Sequence, residues 1–383
     1  MEVYLDNAAT TKMDKGVAAI MQNYFLNKFA NASSIHHQGE EVYNDLEKSK
    51  ETVAKILNTK PQNLIFTGSA SEANNFIIKG VALANKDKGK HIIVSSIEHP
   101  CVLGPAKDLV NEGFKVSYAP VDSKGRVKIA ELKKMISKDT VLVSIMTANN
   151  EIGTIQDIKK IARLVKRNGA YFHTDAVQAV PYLKIDIKDL GVDFLTLSAH
   201  KFHGPKGVGM AYIDRNIKIK ALISGGEQND GLRAGTINVA GIIGFSKALE
   251  LAYKNRDKKI EKIKKLREYF LKEINKNIKD VYLNGHETFR LDNNLNLRFN
   301  GVEGEAILMD LSNQGICVST GSACSAKNLK TSYVLQALGI NSNYLNSNVR
   351  FSLSKNTTKA ELDYTVKKLS EAVKRLRSFS PIK

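Results

Sequence analysis

The segment Val192–Lys201 reads VDFLTLSAHK, an apolar strand that runs directly into serine, histidine and lysine. Amphipathic helices such as Ile158–Asn168 alternate with further strands of this kind. The four earlier strands are predicted at Asn63–Thr67, His91–Ser95, Thr140–Met146 and Ala170–Thr174. This alternation predicts an α/β fold whose largely parallel sheet is covered by helices on both faces.

Polar residues follow each of these five strands. In chain order they are Gly68–Glu72, Glu98-His99, Asn149–Glu151, Asp175 with Gln178, and Ser198–Lys201. Ligands of open parallel sheets bind outside the carboxyl ends of the strands. We therefore expect the five groups to meet at one site.

Taken singly, each group also has an ordinary structural explanation. Gly68–Ser71 can be a helix N-cap, His99 a satisfied polar side chain, and Asp175 a cap or an ion-pair partner. The glycines lack the Lys-Ser/Thr of a P-loop. His200 and His203 form a weak metal motif, because no acidic third ligand lies near them in the sequence. We expect no resident metal.

Taken together, the groups fit pyridoxal phosphate. Its phosphate requires a helix N-terminus, its pyridinium nitrogen a carboxylate, and its aldehyde a lysine. Gly68–Ser71, Asp175 and Lys201 supply these three, and His99 is the ring among them that can cover one face of the cofactor.

The composition is that of an ordinary globular protein, with 383 residues, 43% hydrophobic and 25% charged. Cys101, Cys317 and Cys324 are an odd number of thiols, which excludes a complete disulfide framework and favours a reducing compartment. Met1–Thr11 has no signal-peptide pattern, and no apolar stretch is long enough for a membrane span. We therefore expect a cytoplasmic protein without membrane contact.

The formal net charge is +18. Such a charge can attract RNA or an acidic protein, or it can lie on solvated lysine-rich surfaces. The densest basic cluster, Lys254–Lys279, carries apolar residues at helical spacing, which predicts one long amphipathic helix. We expect no direct contact with nucleic acid.

A second unit is predicted after this helix, with strands at Asn296–Phe299, Cys317–Ser319 and Val349–Leu353. We place the boundary near residue 255.

Cys324 lies in a run of small polar residues typical of an exposed loop, whereas Cys317, between Ile316 and Val318, is expected to be buried. Cys101 is the second choice for a reactive thiol.

Motifs along nearly the whole chain resemble those of the cysteine desulfurases of the NifS/IscS-like group, within the class V aminotransferases. The motifs are Tyr4–Thr11 (YLDNAATT), Asn31–His36 (NASSIH), Phe66–Asn75 (FTGSASEANN), Glu98-His99, Asn149–Gln156 (NNEIGTIQ), His173–Val180 (HTDAVQAV), Ser198–Gly209 (SAHKFHGPKGVG), Gly231–Val239 (GLRAGTINV), Ser319–Ser325 (STGSACS) and Val349–Leu353 (VRFSL). The chain departs from the family pattern at Gly68–Ser71, Gly225–Asp230 and Ser325–Lys330.

The resemblance implies the fold of fold-type I pyridoxal phosphate enzymes. A large domain at residues 16–255 would hold a mostly parallel seven-stranded sheet. A smaller α+β domain at 256–383 would carry the catalytic cysteine loop, and residues 1–15 would pack with it.

The resemblance also implies a role for each site residue. Lys201 would be the Schiff-base lysine, Cys324 the nucleophile that takes up sulfur, and His99 the residue stacked on the ring. Asp175 would pair with the pyridinium nitrogen, and Gln178 and Asn150 would bond the phenolic oxygen. The implied phosphate ligands are Ala70, Ser71, Ser198, His200 and, from the neighbouring subunit of a homodimer, Thr236. Arg350 would bind the substrate carboxylate, with help from Asn7.

The implied reaction converts L-cysteine to L-alanine and leaves sulfur on the enzyme as a persulfide. The implied acceptors are an iron–sulfur scaffold protein, tRNA-thiolation proteins or both, and Cys324 could touch a cluster transiently through such a partner. The alternatives on the same scaffold are a selenocysteine lyase and a cysteine-sulfinate desulfinase. A class V aminotransferase and a basic RNA-binding protein fit the sequence less well.

Overall fold

A computed structural model of the chain describes residues 1–321 and 331–379. The strands are β1 (Val3–Tyr4), β2 (Leu64–Thr67), β3 (His91–Ser95), β4 (Lys115–Ala119), β5 (Thr140–Ser144), β6 (Tyr171–Asp175), β7 (Phe194–Ser198), β8 (Gly209–Ile213), β9 (Val281–Leu283), β10 (Asn294–Phe299), β11 (Ile316–Cys317) and β12 (Asn348–Ser352). The helices are α1 (Lys15–Leu26), α2 (His37–Leu57), α3 (Ala70–Ala84), α4 (Pro100–Asp108), α5 (Ile129–Met135), α6 (Ile158–Arg167), α7 (Ile187–Leu190), α8 (Val239–Tyr253), α9 (Arg256–Asn277), α10 (Gly304–Asn313), α11 (Tyr333–Ala337) and α12 (Lys359–Phe379).

The central sheet has seven strands in the order β2-β8-β7-β6-β5-β3-β4. β8 runs antiparallel to both of its neighbours, and the other pairings are parallel. Strands β2, β3, β5, β7 and β8 are buried along their whole length, as expected where helices cover both faces. The predicted mostly parallel seven-stranded sheet is confirmed.

The carboxyl ends of the five predicted strands meet at one edge of this sheet. β3, β5, β6 and β7 are mutually parallel, and β2 has the same direction because β8 is antiparallel to both β2 and β7. The groups that follow these strands are therefore delivered to the same side of the molecule.

A second, antiparallel sheet has the order β12-β10-β9. β1 pairs in parallel with β11, so that Val3 lies opposite Ile316. The helical path is interrupted between α8 and α9, where Asn255 adopts a left-handed backbone conformation with φ 54°. The proposed domain bounds at residues 15 and 255 stay a prediction.

The long basic helix predicted around residues 254–279 is confirmed as α9, which buries Ile263, Phe270 and Ile274. The expectation that Cys317 is buried is wrong, because this residue is exposed. Successive residues of a strand point to opposite faces, so burial of Ile316 and Val318 turns Cys317 outward. Within the described residues, no helix is long and apolar enough to cross a membrane.

Gly209, the first residue of β8, lies directly against the start of α3. A Cβ atom on Gly209 would lie 2.3 Å from the carbonyl carbon of Ser69 and 2.6 Å from the amide nitrogen of Ala70. Both of these are backbone atoms, which cannot move without shifting the helix N-terminus. Only glycine therefore allows this approach.

We predict that Gly209→Ala lowers the free energy of unfolding by about 1–3 kcal/mol, the usual effect of overpacking. The matched control is Gly104→Ala in α4, where an added Cβ would meet open space. This control should be stabilising by up to about 1 kcal/mol because alanine favours a helix. Urea unfolding of both variants measures the difference, and equal stabilities would contradict the close approach.

Candidate active site

The carboxyl edge of the central sheet surrounds a cavity of about 230 Å³. Ten of the predicted site residues line it, namely Ala70, Ser71, His99, Asn150, Asp175, Gln178, Ser198, His200, Lys201 and Arg350. Two further lining residues also appear in the sequence analysis, Ser69 in the Gly68–Ser71 turn and Cys101 as the second candidate thiol. Sequence reasoning missed the remaining four, which are Ala8, Ala9, Met146 and Val177. The structure thus brings the five predicted strand ends together.

Three predicted residues are not part of this lining. Asn7 is buried, and its side-chain amide donates to the carbonyl oxygens of Ser352 and Tyr4 at 2.8 and 3.2 Å. Thr236 is exposed to solvent. Cys324 lies outside the described residues.

Lys201 ends the short turn that follows β7, and the N-terminal segment holds its amine. Nζ donates to the carbonyl oxygens of Ala8 and Ala9 at 2.6 and 2.7 Å. Gln178 Nε2 also donates to the Ala8 carbonyl, at 2.9 Å. The neighbouring His200 lies 3.1 Å from Thr10 Oγ1, and burial, with Lys201 and Lys206 nearby, lowers its pKa to about 4. His200 is therefore neutral at physiological pH.

Asp175, the last residue of β6, presents a buried carboxylate to the cavity. Oδ1 accepts from the amide of Val177 at 2.9 Å, and Oδ2 accepts from Asn74 Nδ2 at 2.8 Å. Hydrogen-bond donors favour the charged form of a carboxylate. Asp175 can therefore pair with a cationic group, such as a protonated ring nitrogen.

His99 caps the N-terminus of α4 with its imidazole. Nδ1 accepts from the amide of Cys101 at 3.2 Å, so the proton of the neutral ring is on Nε2. Burial lowers the pKa of His99, and Lys201 lowers it further while Asp175 opposes the shift. A neutral ring at the cavity wall is suited to stacking on a flat ligand.

Cys101 lies in the same wall, with Sγ 2.9 Å from His99 Nδ1 and 3.0 Å from Asn74 Nδ2. Burial, and then the negative charge of Asp175, raises the pKa of the thiol to about 12. The thiolate is the nucleophilic form of cysteine. Cys101 is therefore a poor nucleophile at neutral pH.

The N-terminus of α3 forms another wall of the cavity. Ser69 is the N-cap residue, and its hydroxyl accepts from the amide of Glu72 at 3.1 Å. The amides of Ala70 and Ser71 belong to the first turn, which has no intrahelical acceptors for its N–H groups. With the positive end of the helix dipole, they form an anion-binding site of the kind that holds phosphate groups.

Arg350, in β12, is only 1% exposed although it is charged. Nη2 pairs with Asp6 Oδ1 and Nη1 donates to the carbonyl oxygen of Asn150, both at 2.9 Å. Nε is buried without a hydrogen-bond partner among the described residues. A guanidinium that lines the cavity can bind a carboxylate there.

The cavity thus combines an anion-binding helix end, a buried carboxylate and a primary amine. These are the groups that pyridoxal phosphate requires for its phosphate, its ring nitrogen and its aldehyde. The residues present therefore fit this cofactor. No group of three or more potential metal ligands occurs in residues 1–321 and 331–379.

Glu98 is fully buried next to this site and takes no part in lining it. Oε1 accepts from Ser95 Oγ at 2.5 Å and from the amide of Met146 at 2.8 Å. Oε2 has no partner within the described part of the chain. Burial, with a smaller contribution from Asp175, raises the pKa of Glu98 from 4.5 to about 8.

This raised pKa predicts a loss of stability with rising pH. Between about pH 4.5 and 8 the folded chain keeps a proton on Glu98 that the unfolded chain releases, so the free energy of unfolding falls by about 1.4 kcal/mol per pH unit from this group. Glu98→Gln should remove this slope in urea-unfolding series from pH 5 to 8. Glu305→Gln, at an exposed position of α10, should keep it. Equal slopes in the two variants would contradict a protonated Glu98.

Comparisons with known proteins agree with this geometry. Residues 3–365 match the family model of the class-V aminotransferases. The chain is 50% identical to cysteine desulfurase IscS of Dictyoglomus turgidum over 382 residues, which cover 100% of this chain and 97% of that protein. It is 44% identical to cysteine desulfurase IscS of Methanosarcina thermophila, covering 99% and 94% of the two chains.

Solved structures show the same similarity. A NifS-like protein superimposes with a TM-score of 0.93 at 39% identity, covering 98% of this chain and 100% of that one. The NifS-like protein from Rickettsia africae gives a TM-score of 0.88 at 31% identity, with coverage of 98% and 100%. The family model and the relatives span nearly the full length of the chain, which therefore belongs to the class-V aminotransferase family.

Proposed function

We propose that this chain is a pyridoxal phosphate-dependent cysteine desulfurase, which converts L-cysteine to L-alanine and takes up the sulfur as a protein persulfide. The observation that carries the proposal is one cavity that holds Lys201, Asp175, His99, Arg350 and the start of α3. The full-length relatives that carry the name cysteine desulfurase support it.

Each wall of the cavity has a part in holding the cofactor. The amides and hydroxyl of Ala70 and Ser71, with Ser198 and His200, would bind the phosphate. Asp175 would hold a proton on the ring nitrogen, His99 would cover a ring face, and Gln178 and Asn150 would bond the phenolic oxygen. Lys201 would bond covalently to the aldehyde. When bound, the cofactor supplies a sink for electrons from the α-carbon of an amino acid.

The chain's own residues supply binding and proton transfer. Arg350, which lines the cavity, would bind the substrate carboxylate, and Lys201 Nζ would carry the substrate α-proton. In the net reaction L-cysteine and an enzyme thiol give L-alanine and an enzyme persulfide, so sulfur is transferred without an external oxidant. We assign the accepting thiol to Cys324.

We also propose a homodimer with a shared site. Thr236 is exposed and lies outside the cavity of its own chain, which fits a role at the phosphate of a second copy. Several large apolar side chains that are close in sequence are exposed at the end of α1 and in the following connection, namely Phe25, Leu26, Phe29 and Ile35. Such a group of exposed apolar residues is typical of an interaction surface.

The acceptors of the sulfur would be an iron–sulfur scaffold protein or tRNA-thiolation proteins in the cytoplasm.

Lys201→Ala should abolish sulfide release from cysteine and the covalent attachment of the cofactor, because the amine at the cavity is lost. Borohydride reduction followed by mass spectrometry should find the cofactor on the Lys201 peptide of the wild type alone. Lys184→Ala, which removes an exposed lysine beyond β6, is the control and should keep both properties. Near wild-type turnover by Lys201→Ala would contradict the proposed function.

Cys324→Ser should retain bound cofactor and the spectral response to cysteine, while persulfide formation and sulfide release collapse. A serine hydroxyl is a poor nucleophile toward sulfur without a base. Wild-type enzyme treated with cysteine should gain the mass of one sulfur on the Cys324 peptide.

The exposed thiol of Cys317 provides the matched control, and Cys317→Ser should leave desulfuration unchanged. Sulfur found on Cys101 would place the nucleophile in the cavity wall. Full activity of Cys324→Ser would instead favour a selenocysteine lyase or a cysteine-sulfinate desulfinase.

A further inference from the structure

The side chain of Asn74, in the second turn of α3, is fully buried behind the cavity. Its Nδ2 donates to Asp175 Oδ2 at 2.8 Å and to Cys101 Sγ at 3.0 Å. Both N–H groups of one amide are thus used at the cavity wall. Carboxylate oxygens and thiol sulfurs both accept hydrogen bonds, so the NH₂ end of the amide suits these two partners.

The same network continues to His99. Nδ1 of this ring already accepts from the backbone amide of Cys101, so the thiol of Cys101 is the donor in the 2.9 Å contact with Nδ1. Asn74 is therefore joined directly to Asp175 and, through one thiol, to His99. These two side chains are the ones assigned above to the ring nitrogen and the ring face of the cofactor.

Burying the amide of Asn74 costs free energy of folding, and an apolar side chain would fill the same space without this cost. Asn74 Oδ1 is buried and has no hydrogen-bond partner in the described part of the chain, and such an acceptor is destabilising. A hydrogen bond to a charged group is stronger than one between neutral groups, and it can offset this cost. An amide in this position therefore indicates a function in stabilising the charge on Asp175.

We propose that Asn74 is a positioning residue that orients the Asp175 carboxylate through its hydrogen bond to Oδ2, so that the proton shared with the cofactor resides on the ring nitrogen. The inference rests on the proposed function, in which Asp175 faces that nitrogen. A donor to Asp175 weakens the attraction of its carboxylate for a proton. Without the donor, Asp175 competes more strongly with the ring for the shared proton.

The test uses the full-length protein freed of cofactor and 4′-deoxypyridoxine 5′-phosphate labelled with ¹⁵N in the ring. This probe has the ring nitrogen and the phosphate but no aldehyde, so Lys201 cannot bond to it. The ¹⁵N chemical shift of the bound probe reports whether the ring is protonated. The measured quantity is the pH at which the bound ring loses its proton, in the wild type and in Asn74→Leu.

We expect this pH to fall by about one to two units in Asn74→Leu, a tenfold to hundredfold change that corresponds to one hydrogen bond to a charged group. Asn85→Leu is the matched control. Asn85 is also buried, and its amide also donates twice, to the carbonyl oxygens of Val81 and Lys218, with no hydrogen bond to Asp175. Asn85→Leu should leave unchanged the pH at which the bound ring loses its proton, even if this variant lowers the stability of the fold.

An unchanged deprotonation pH in Asn74→Leu, or an equal fall in Asn85→Leu, would overturn the proposal. Asn74→Ala, which removes the amide without adding volume, is the second variant and should show the same fall if the leucine variant folds poorly. Failure of the wild-type protein to bind the probe would contradict the proposed function itself. That result differs from a bound probe whose protonation does not depend on Asn74.

Discussion

The amine of Lys201 is held by two backbone carbonyl groups, and much of the site depends on this contact. The acceptors are Ala8 and Ala9, which are far from Lys201 in sequence. The same N-terminal segment is fixed by the pairing of β1 with β11 and by the ion pair between Asp6 and Arg350. One short stretch of chain thus connects the central sheet, where Lys201 and Asp175 lie, with the sheet that carries Arg350.

Two buried carboxyl groups, Asp175 and Glu98, lie at the carboxyl edge of the sheet and differ in the hydrogen bonds that they accept. Asp175 receives donors on both oxygens and faces the cavity, whereas Glu98 has donors on one oxygen alone. Burial raises the pKa of Glu98 to about 8, so this group stays largely protonated near neutral pH. Among the described residues that line the cavity, Asp175 is the one with a carboxyl group, so it is the group placed to face a cationic ring.

The sequence was sufficient to predict what depends on strand order and strand ends. Five apolar runs and the residues after them led to Lys201, Asp175 and His99, because parallel strands deliver their carboxyl ends to one edge. Contacts between distant segments could not be predicted in this way. The ion pair of Asp6 with Arg350 and the bridge from Asn74 to Asp175 join residues whose proximity follows from tertiary packing.

Errors and omissions have equally specific causes. Cys317 was expected inside because its neighbours are apolar, although alternation along a strand places it on the opposite face. β4 was missed because it is an edge strand with exposed Lys115 and Tyr118, so its apolar pattern is weak. Both thiols that the structure describes have a raised pKa, Cys101 mainly through burial in the cavity wall, and the exposed Cys317 through partial desolvation and the nearby charges of Glu2 and Asp6. The nucleophilic form of cysteine is the thiolate, and these two environments favour the thiol form, which supports the proposal that Cys324 accepts the sulfur.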